Sequence, residues 1–541
     1  MYEALLDAKM EQRQVVVCWL DLKNAYGSVR HNLLQFALKW FHIPPIIQQL
    51  VFDYYEKICA QVRTENWSTL FFLFDIGFFQ GCVLSCILFN CVFQLLLDLL
   101  KPLSADGYRF KDSILLNHSQ AFADDLSIMT SPHLNQRALA VVECFLLWTI
   151  TMQSNHKKCV SLGMKRFNTS ENHGNFVRYG KTVYCPFNPE LTIGGNKIRF
   201  IVDTAVGCDS LAFDHFKELG RWISVDLKED KLKALLQKRV LDDLKTVDAS
   251  GVNGFCKLFI YEFFVVHRLS WQFLVHDFCL TFATNLDKIS IPYLKRWAGL
   301  FRGADVGCLF RLRKDLGLQL TSFTFHFKHL QLVRCCLLKN SSDPAVAGAF
   351  VRKTSRERSF SRTWSATKEY ESLGPVVDHE MRFGGQQNRE GLGSGRYLPY
   401  PSLIERRSLL TKTLLAESEK ALIEHSSGLV RQGIWTRWPA VRPFDLSWGN
   451  LLSGPGPKLL SFVLNSLINS VRTPDMLQLW GYKQSATCPL CNAPKCTLHH
   501  ELVGCKVAND QGRYYWRHDS VLCNIEAGLS DLLNRLNTCS P

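Results

Sequence analysis

The order of apolar and polar positions divides the first 150 residues into short, well-marked elements. Val15–Leu22 reads VVVCWLDL, an apolar run closed by an acid. That pattern predicts a buried strand with a carboxylate at its C-terminal end. Asn32–Tyr55 has helical periodicity and is broken at Pro44 and Pro45. Gln61–Asp75 alternates enough to predict a hairpin, and Gly81–Lys101 predicts a long helix. Within that helix Asn90, Gln94 and Asp98 recur every fourth residue and form one polar stripe. The stripe marks an amphipathic core helix rather than a membrane span. Ala121–Thr130, AFADDLSIMT, predicts strand, acidic turn, strand, and Ala138–Met152 a further helix. This order predicts an α+β sheet covered on one face by helices.

Further on, Leu191–Val202 predicts a strand pair turning at Gly194 and Gly195, and Phe216–Val225 another short pair. Asp226–Ala249 reads as a charged helix, and Phe255–Phe278 as an aromatic-rich helical stretch. Arg352–Thr363 sets five basic residues among serines with Glu357 as its one acid, and Gly384–Arg396 holds five glycines. Both stretches predict a mobile linker with a domain boundary near residues 345–400. Helices then run to about residue 475, followed by a cysteine cluster.

Composition narrows this picture. The chain has 541 residues, 47% of them hydrophobic, enough for several cores. Its net charge of +14 suits a polyanionic partner. Met1–Gln14 carries five charged residues and no apolar core, so no secretory signal is expected, and most of the 20 cysteines are expected to be reduced, buried thiols. No membrane partner is expected. The expected location is nuclear or cytoplasmic.

Asp21, Asp124 and Asp125 are the acids with chemical promise. Adjacent carboxylates at a tight turn repel unless a cation lies between them. With Asp21 on a neighbouring strand, they would make an oxygen-donor site for two Mg²⁺ ions. The surrounding segments resemble, in order, the motifs of non-LTR retrotransposon reverse transcriptases of the restriction-like-endonuclease lineage. WLDLKNAYGSVRH (Trp19–His31) resembles motif A and FFQGCVLSCILFN (Phe78–Asn90) motif B. AFADD (Ala121–Asp125) resembles the F/Y-x-D-D box, MQSNHKKC (Met152–Cys159) motif D and FKELG (Phe216–Gly220) the primer grip.

The resemblance implies roles at the matching positions. Asp21, Asp124 and Asp125 would hold the metals, and Tyr26 would be the steric gate against a ribose 2′-OH. Gln80 and Gly81 would line the nucleotide and template pocket, and Lys158 would donate a proton to pyrophosphate. Gly27 stands where the family often has Asp, and Cys86 where it commonly has Pro. Only 20 residues precede Asp21, so the family's fingers motifs are not seen, and a chain truncated at both ends is expected.

Phe255–Phe278 and Tyr293–Gly307 resemble the thumb of the same elements. Lys295, Arg296 and Arg302 would face phosphates, with Trp297 and Phe301 packing or stacking. Near the C-terminus Cys488, Cys491, His500 and Cys505 follow C-x2-C-x8-H-x4-C, a spacing suited to one structural Zn²⁺, with Cys496 and His499 as rival ligands. The family carries such a knuckle after its thumb, and RYYWRHDSVL (Arg513–Leu522) resembles the segment beyond it.

The expected architecture is therefore a right-hand polymerase palm with partial fingers over residues 1–165. The end of the palm, primer grip and helical thumb follow over 166–340, a flexible linker over 341–400 and a helical region over 401–480. A zinc knuckle with the start of a truncated endonuclease region takes 481–541. The expected function is an RNA-directed DNA polymerase that takes an RNA template, a DNA primer or target DNA, and dNTPs. The alternative is a catalytically inactive nucleic-acid-binding remnant. An intron maturase is a third, weaker reading.

Overall fold

A computed structural model gives the fold. It describes residues 1–56, 58–73, 76–79, 81–167, 183–201, 215–224, 226–313, 317–359, 364–383, 403–433 and 457–538. The chain divides into two compact units, Met1–Leu235 with Cys335–Arg362, and Leu236–Arg334 with Thr363–Pro541.

The first unit is built on a six-stranded sheet. Its central strand, β1 (Val15–Leu20), lies antiparallel between β5 (Asp125–Thr130) and β6 (Val160–Phe167). On the far side of β5 runs β4 (Ser119–Phe122), and β6 also pairs with β7 (Val183–Phe187) and β10 (Arg199–Phe200). Short hairpins form from β2 (Cys59–Ala60) with β3 (Phe72–Leu73), β8 (Thr192–Ile193) with β9 (Asn196–Lys197), and β11 (His215–Glu218) with β12 (Arg221–Ser224). The last two follow the predicted strand pairs, while the hairpin predicted over Gln61–Asp75 begins earlier, at Cys59.

All six β1 residues are buried, because both faces of the sheet are covered. Val16, Cys18 and Leu20 meet helices α2 (His31–Trp40), α4 (Val83–Leu100) and α5 (Pro132–Thr149), through Leu34, Leu96, Phe145 and their neighbours. Val15, Val17 and Trp19 enter a second core with Leu5 and Ala8 of α1 (Tyr2–Glu11), Phe110, Met129 and Ile223. The expectation of one covered face is thus corrected. An unbroken apolar run is what a strand buried on both faces requires, whereas one solvated face would impose alternation.

α3 (Pro45–Glu56) follows α2 after the proline break. In α4 the polar stripe behaves as expected, with Gln94 Nε2 donating to Asp98 Oδ1 at 2.9 Å while Leu88, Phe89, Val92 and Leu96 are buried. Val83–Ala105 and Gly254–Val275 are long and apolar enough to cross a membrane by length and composition. In this fold α4 spends its buried face on the sheet core.

The mobile linker predicted from about residue 345 is also corrected. Pro344–Ser359 is a helix of the first unit. Arg352 pairs with Asp112 at 2.8 Å and lies over the Phe110 ring at 3.6 Å. Lys353 pairs with Glu357 at 3.2 Å, and Arg356 with Glu3 at 2.6 Å. Partners distant in sequence turn a basic, serine-rich stretch into a packed helix. The glycine-rich stretch 384–396 lies outside the described residues.

The second unit is helical. Gly254–Ile260 continues through a π turn at Tyr261–Val265 to Ser270–Val275, and Leu280–Trp297 and most of Phe323–Lys339 pack with it. Leu403–Ser427, Pro457–Leu467 and Pro474–Leu479 form the later helical region, followed by the cysteine cluster and a helix over Tyr515–Thr538.

Candidate active site and candidate metal centre

The register of the sheet assembles the acidic site. Leu20 of β1 pairs with Leu126 of β5, so Asp21, one residue on, leaves the sheet beside Asp125 at the start of β5. β4 and β5 join through Ala123 and Asp124, with Phe122 paired to Asp125. Ala123 has φ 53°, a left-handed conformation that costs a non-glycine residue roughly 1–2 kcal/mol and holds Asp124 at the tip of the turn.

Burial raises the Asp125 carboxyl above its ordinary range. Asp124 and then Asp21 raise it further, and Lys158 acts against them. Asp21 is pinned through its backbone, whose carbonyl accepts the Asn155 N–H at 2.7 Å. Lys158 Nζ lies 3.6 Å from Asp21 Oδ1 and its side chain is otherwise exposed. Asp21 Oδ2 is buried and has no hydrogen-bond partner among the described residues. The orphaned Asp21 oxygen, with Asp125 at the start of the neighbouring strand, suits a divalent cation, which would satisfy it and offset the repulsion.

An open cleft of about 870 Å³ adjoins this point. Asp21, Asp125, Lys157, Lys158, Arg199 and Lys217 supply its charged lining, together with Glu218. The β11–β12 hairpin forms one wall. Trp19 fixes it there by donating from Nε1 to Glu218 Oε1 at 2.7 Å and by packing on Phe216 at 4.7 Å between ring centroids. Sequence reasoning had not singled out Lys157, Arg199 and Lys217. Lys157 and Lys217 lie inside quoted motifs, whereas Arg199 reaches the cleft through the parallel pairing of β10 with β6, which no local pattern announces.

Tyr26 stands apart from the cleft lining, stacked on Phe89 of α4 at 4.5 Å. Burial, the Cys86 thiol and the charge of Asp124 together push its hydroxyl up to about 12. Gly81 has φ +89° and open space where a Cβ would point, so the backbone itself borders solvent there. Gln80 lies outside the described residues.

The thumb-like basic residues are largely engaged within their own unit. Lys295 Nζ donates to the carbonyls of Arg302 at 3.1 Å and Ala304 at 2.6 Å, which ties down the following loop. Arg296 pairs with Asp248 at 2.5 Å, and Trp297 Nε1 donates to the same carboxylate at 2.8 Å. Phe301 stacks on Trp480 at 3.9 Å. Arg302 is exposed.

Near the C-terminus the ligand atoms of Cys488, Cys491, His500 and Cys505 all lie within 4.8 Å of one another. Cys491 Sγ is 3.3 Å from His500 Nε2. Burial works to raise the Cys488 thiol, but amide hydrogen bonds from Cys491 and Leu490, with His500, hold it down at about 6. Of the two rivals, Cys496 turns to Glu501 Oε1 at 3.6 Å and burial pushes its thiol up to about 12. Neither Cys496 nor His499 joins the four.

The reverse transcriptase (RNA-dependent DNA polymerase) family model matches residues 3–169, the span that holds the sheet and the three acids. Residues 3–169 are a reverse transcriptase domain. The Retrovirus-related Pol polyprotein from a type-2 retrotransposable element of Drosophila melanogaster is 28% identical over 153 residues, 28% of this chain and 14% of that protein. The likeness supports the expected kinship with non-LTR retrotransposon reverse transcriptases. The chain aligns with only that small share of the relative's length. A solved telomerase from Candida albicans, in complex with a fragment of telomeric RNA, overlays 65% of this chain and 52% of its own at 11% identity. Its TM-score of 0.25 says nothing further about the fold.

Proposed function

We propose that this reverse transcriptase domain acts as an RNA-directed DNA polymerase, adding dNTPs to a DNA 3′-OH on an RNA template. The observation that supports it best is the orphaned Asp21 carboxylate oxygen beside Asp125 at the mouth of a cation-lined cleft. Two Mg²⁺ ions held by Asp21, Asp124 and Asp125 would activate the attacking hydroxyl and stabilise the leaving pyrophosphate. Lys158, with its Nζ 3.6 Å from Asp21 Oδ1, would supply a proton as pyrophosphate leaves. Lys157, Arg199 and Lys217 draw the phosphate backbone of template and primer into the cleft.

The Cys488, Cys491, His500 and Cys505 cluster is read as a structural Zn²⁺ site. Three thiolates and an imidazole are the donor set zinc prefers, and a tetrahedron with bonds of about 2.3 Å closes on such a cluster with small side-chain shifts. The polymerase reading is tested by Mg²⁺-dependent extension of oligo(dT) on poly(rA) with dTTP. Replacing Asp124 and Asp125 together by Asn should lower extension by at least ~10²-fold. Equal extension by folded wild-type and doubly substituted protein would refute the site. Absence of extension from both, with salt-sensitive RNA binding retained, would support the binding-only remnant instead.

A further inference from the structure

Trp19 and Asp21 are two positions apart, so the alternation of a strand sends both side chains the same way, and both line the cleft. The β11–β12 hairpin that walls this cleft is a two-stranded sheet of its own. Among the described residues it shares no backbone ladder with the six-stranded sheet, so side chains set its position. On β12, Ile223 is buried in the second core and Arg221 lies over the Tyr2 ring at 3.5 Å. The tip is a two-residue turn, Leu219 at φ 44° and Gly220 at φ 82°, the left-handed pair that a tight hairpin requires. On β11, Phe216 and Glu218 alternate to one face, and that face meets Trp19. The Trp19 and Phe216 rings are 4.7 Å apart, and Trp19 Nε1 donates to Glu218 Oε1 at 2.7 Å across 199 positions of sequence. Trp19 is a fixed point for this bond. It is buried, and its backbone lies between Ser127 of β5 and Val160 of β6. Phe would serve the core as well as Trp does; the indole N–H is what joins the hairpin to β1.

We infer that Trp19 is a positioning residue for the primer: its bond to Glu218 fixes the tip of the β11–β12 hairpin relative to Asp21, and so where a primer 3′-hydroxyl stands against the acids. The inference rests on the polymerase reading and on this hairpin as the primer grip. Asp21 lies two residues beyond Trp19, so acid and hairpin are tied to one stretch of β1 and move together. Without the N–H the ring still packs on Phe216, but the tip is free to shift, and attack by a misplaced hydroxyl is slow.

The test is single-turnover extension of oligo(dT) on poly(rA), with protein bound to primer–template before dTTP and Mg²⁺ are added. The amplitude reports how much protein is folded and loaded, and the rate constant reports the alignment of the 3′-hydroxyl. Trp19→Phe should lower the rate at saturating dTTP about tenfold, with amplitude and half-saturating dTTP within about twofold of wild type. Glu218→Ala should match it, and the double variant should be no slower than either alone. Glu218→Gln, which keeps an acceptor oxygen, should recover most of the rate. The two Glu218 variants carry the test by themselves if Trp19→Phe does not fold. A wild-type rate in folded Trp19→Phe, a Glu218→Gln as slow as Glu218→Ala, or additive losses in the double variant would overturn the inference. So would a loss of amplitude alone, which marks a structural role, or a change confined to half-saturating dTTP, which would assign the hairpin to the nucleotide. No extension by folded wild-type protein would instead bring down the polymerase reading, and the inference with it.

Discussion

Single carboxylates in this chain are governed by opposite environments. Asp287, in the second unit, accepts the N–H groups of Phe323 at 2.7 Å and Thr324 at 3.0 Å, capping the helix they begin. Burial outweighs those bonds and raises its carboxyl to about 6. The folded protein then binds this proton more tightly than the unfolded chain, whose Asp titrates near ~3.9. Its contribution is therefore fully present below about pH 4 and lost as pH rises through about 6. Asp287→Asn should remove on the order of 2 kcal/mol of pH dependence between pH 4 and 7, read by urea denaturation at both ends. An identical pH dependence in the two proteins would contradict the assignment. Asp305 shows the reverse. Burial again works to raise it, but Ser426, the Gly307 amide and Arg311 outweigh burial and hold it down. Arg311, itself fully buried, pairs with it at 2.9 Å. Asp305→Ala would strand that guanidinium in the interior and should cost about 3–5 kcal/mol, whereas a loss below ~1 kcal/mol would mean the pair contributes little.

At the scale of elements, local pattern worked where local pattern decides. The strands around Asp21 and Asp125, the proline break between α2 and α3, and the striped helix α4 follow from periodicity and turn residues. The Pro344–Ser359 helix did not, because Arg352 finds Asp112 across 240 residues of sequence and no local signal carries that pairing. The same limit hid Arg199 from the site and made Lys295 look like a phosphate contact when it caps its own loop. Arg352→Ala should destabilise the first unit by about 2–4 kcal/mol through lost pairing and stacking on Phe110, measurable as a shift in its unfolding midpoint. An unchanged midpoint would restore the loose-linker reading. The candidate metal site at Cys488, Cys491, His500 and Cys505 lies between these cases. Spacing named four ligands and two rivals, and only folding separates them. Cys491→Ser should reduce bound zinc from one per chain to a small fraction, while Cys496→Ser and His499→Ala should retain it, as elemental analysis would show. Zinc lost from Cys496→Ser and kept by Cys491→Ser would reverse the ligand assignment.

For the whole molecule, a net charge of +14 says only that a polyanion is a plausible partner. The fold brings Lys157, Arg199 and Lys217 from three separate segments to line one cleft beside the acids. If these side chains bind the nucleic-acid backbone, each replaces a condensed counterion, and the logarithm of affinity falls with the logarithm of salt by ~0.7–0.9 per contact. Replacing all three by Ala should therefore flatten the salt slope for an RNA–DNA primer–template by about 2–3, with affinity lost evenly across sequences. The control is Arg296→Ala, whose guanidinium is engaged with Asp248 and which should leave the slope within about 0.5 of wild type. An unchanged slope in the triple variant, measured by anisotropy from 50 to about 300 mM salt, would move the duplex elsewhere on the surface. The acids would then sit in a cleft whose positive rim serves the incoming triphosphate alone, and the same variants would show it as a higher KM for dNTP at unchanged template affinity.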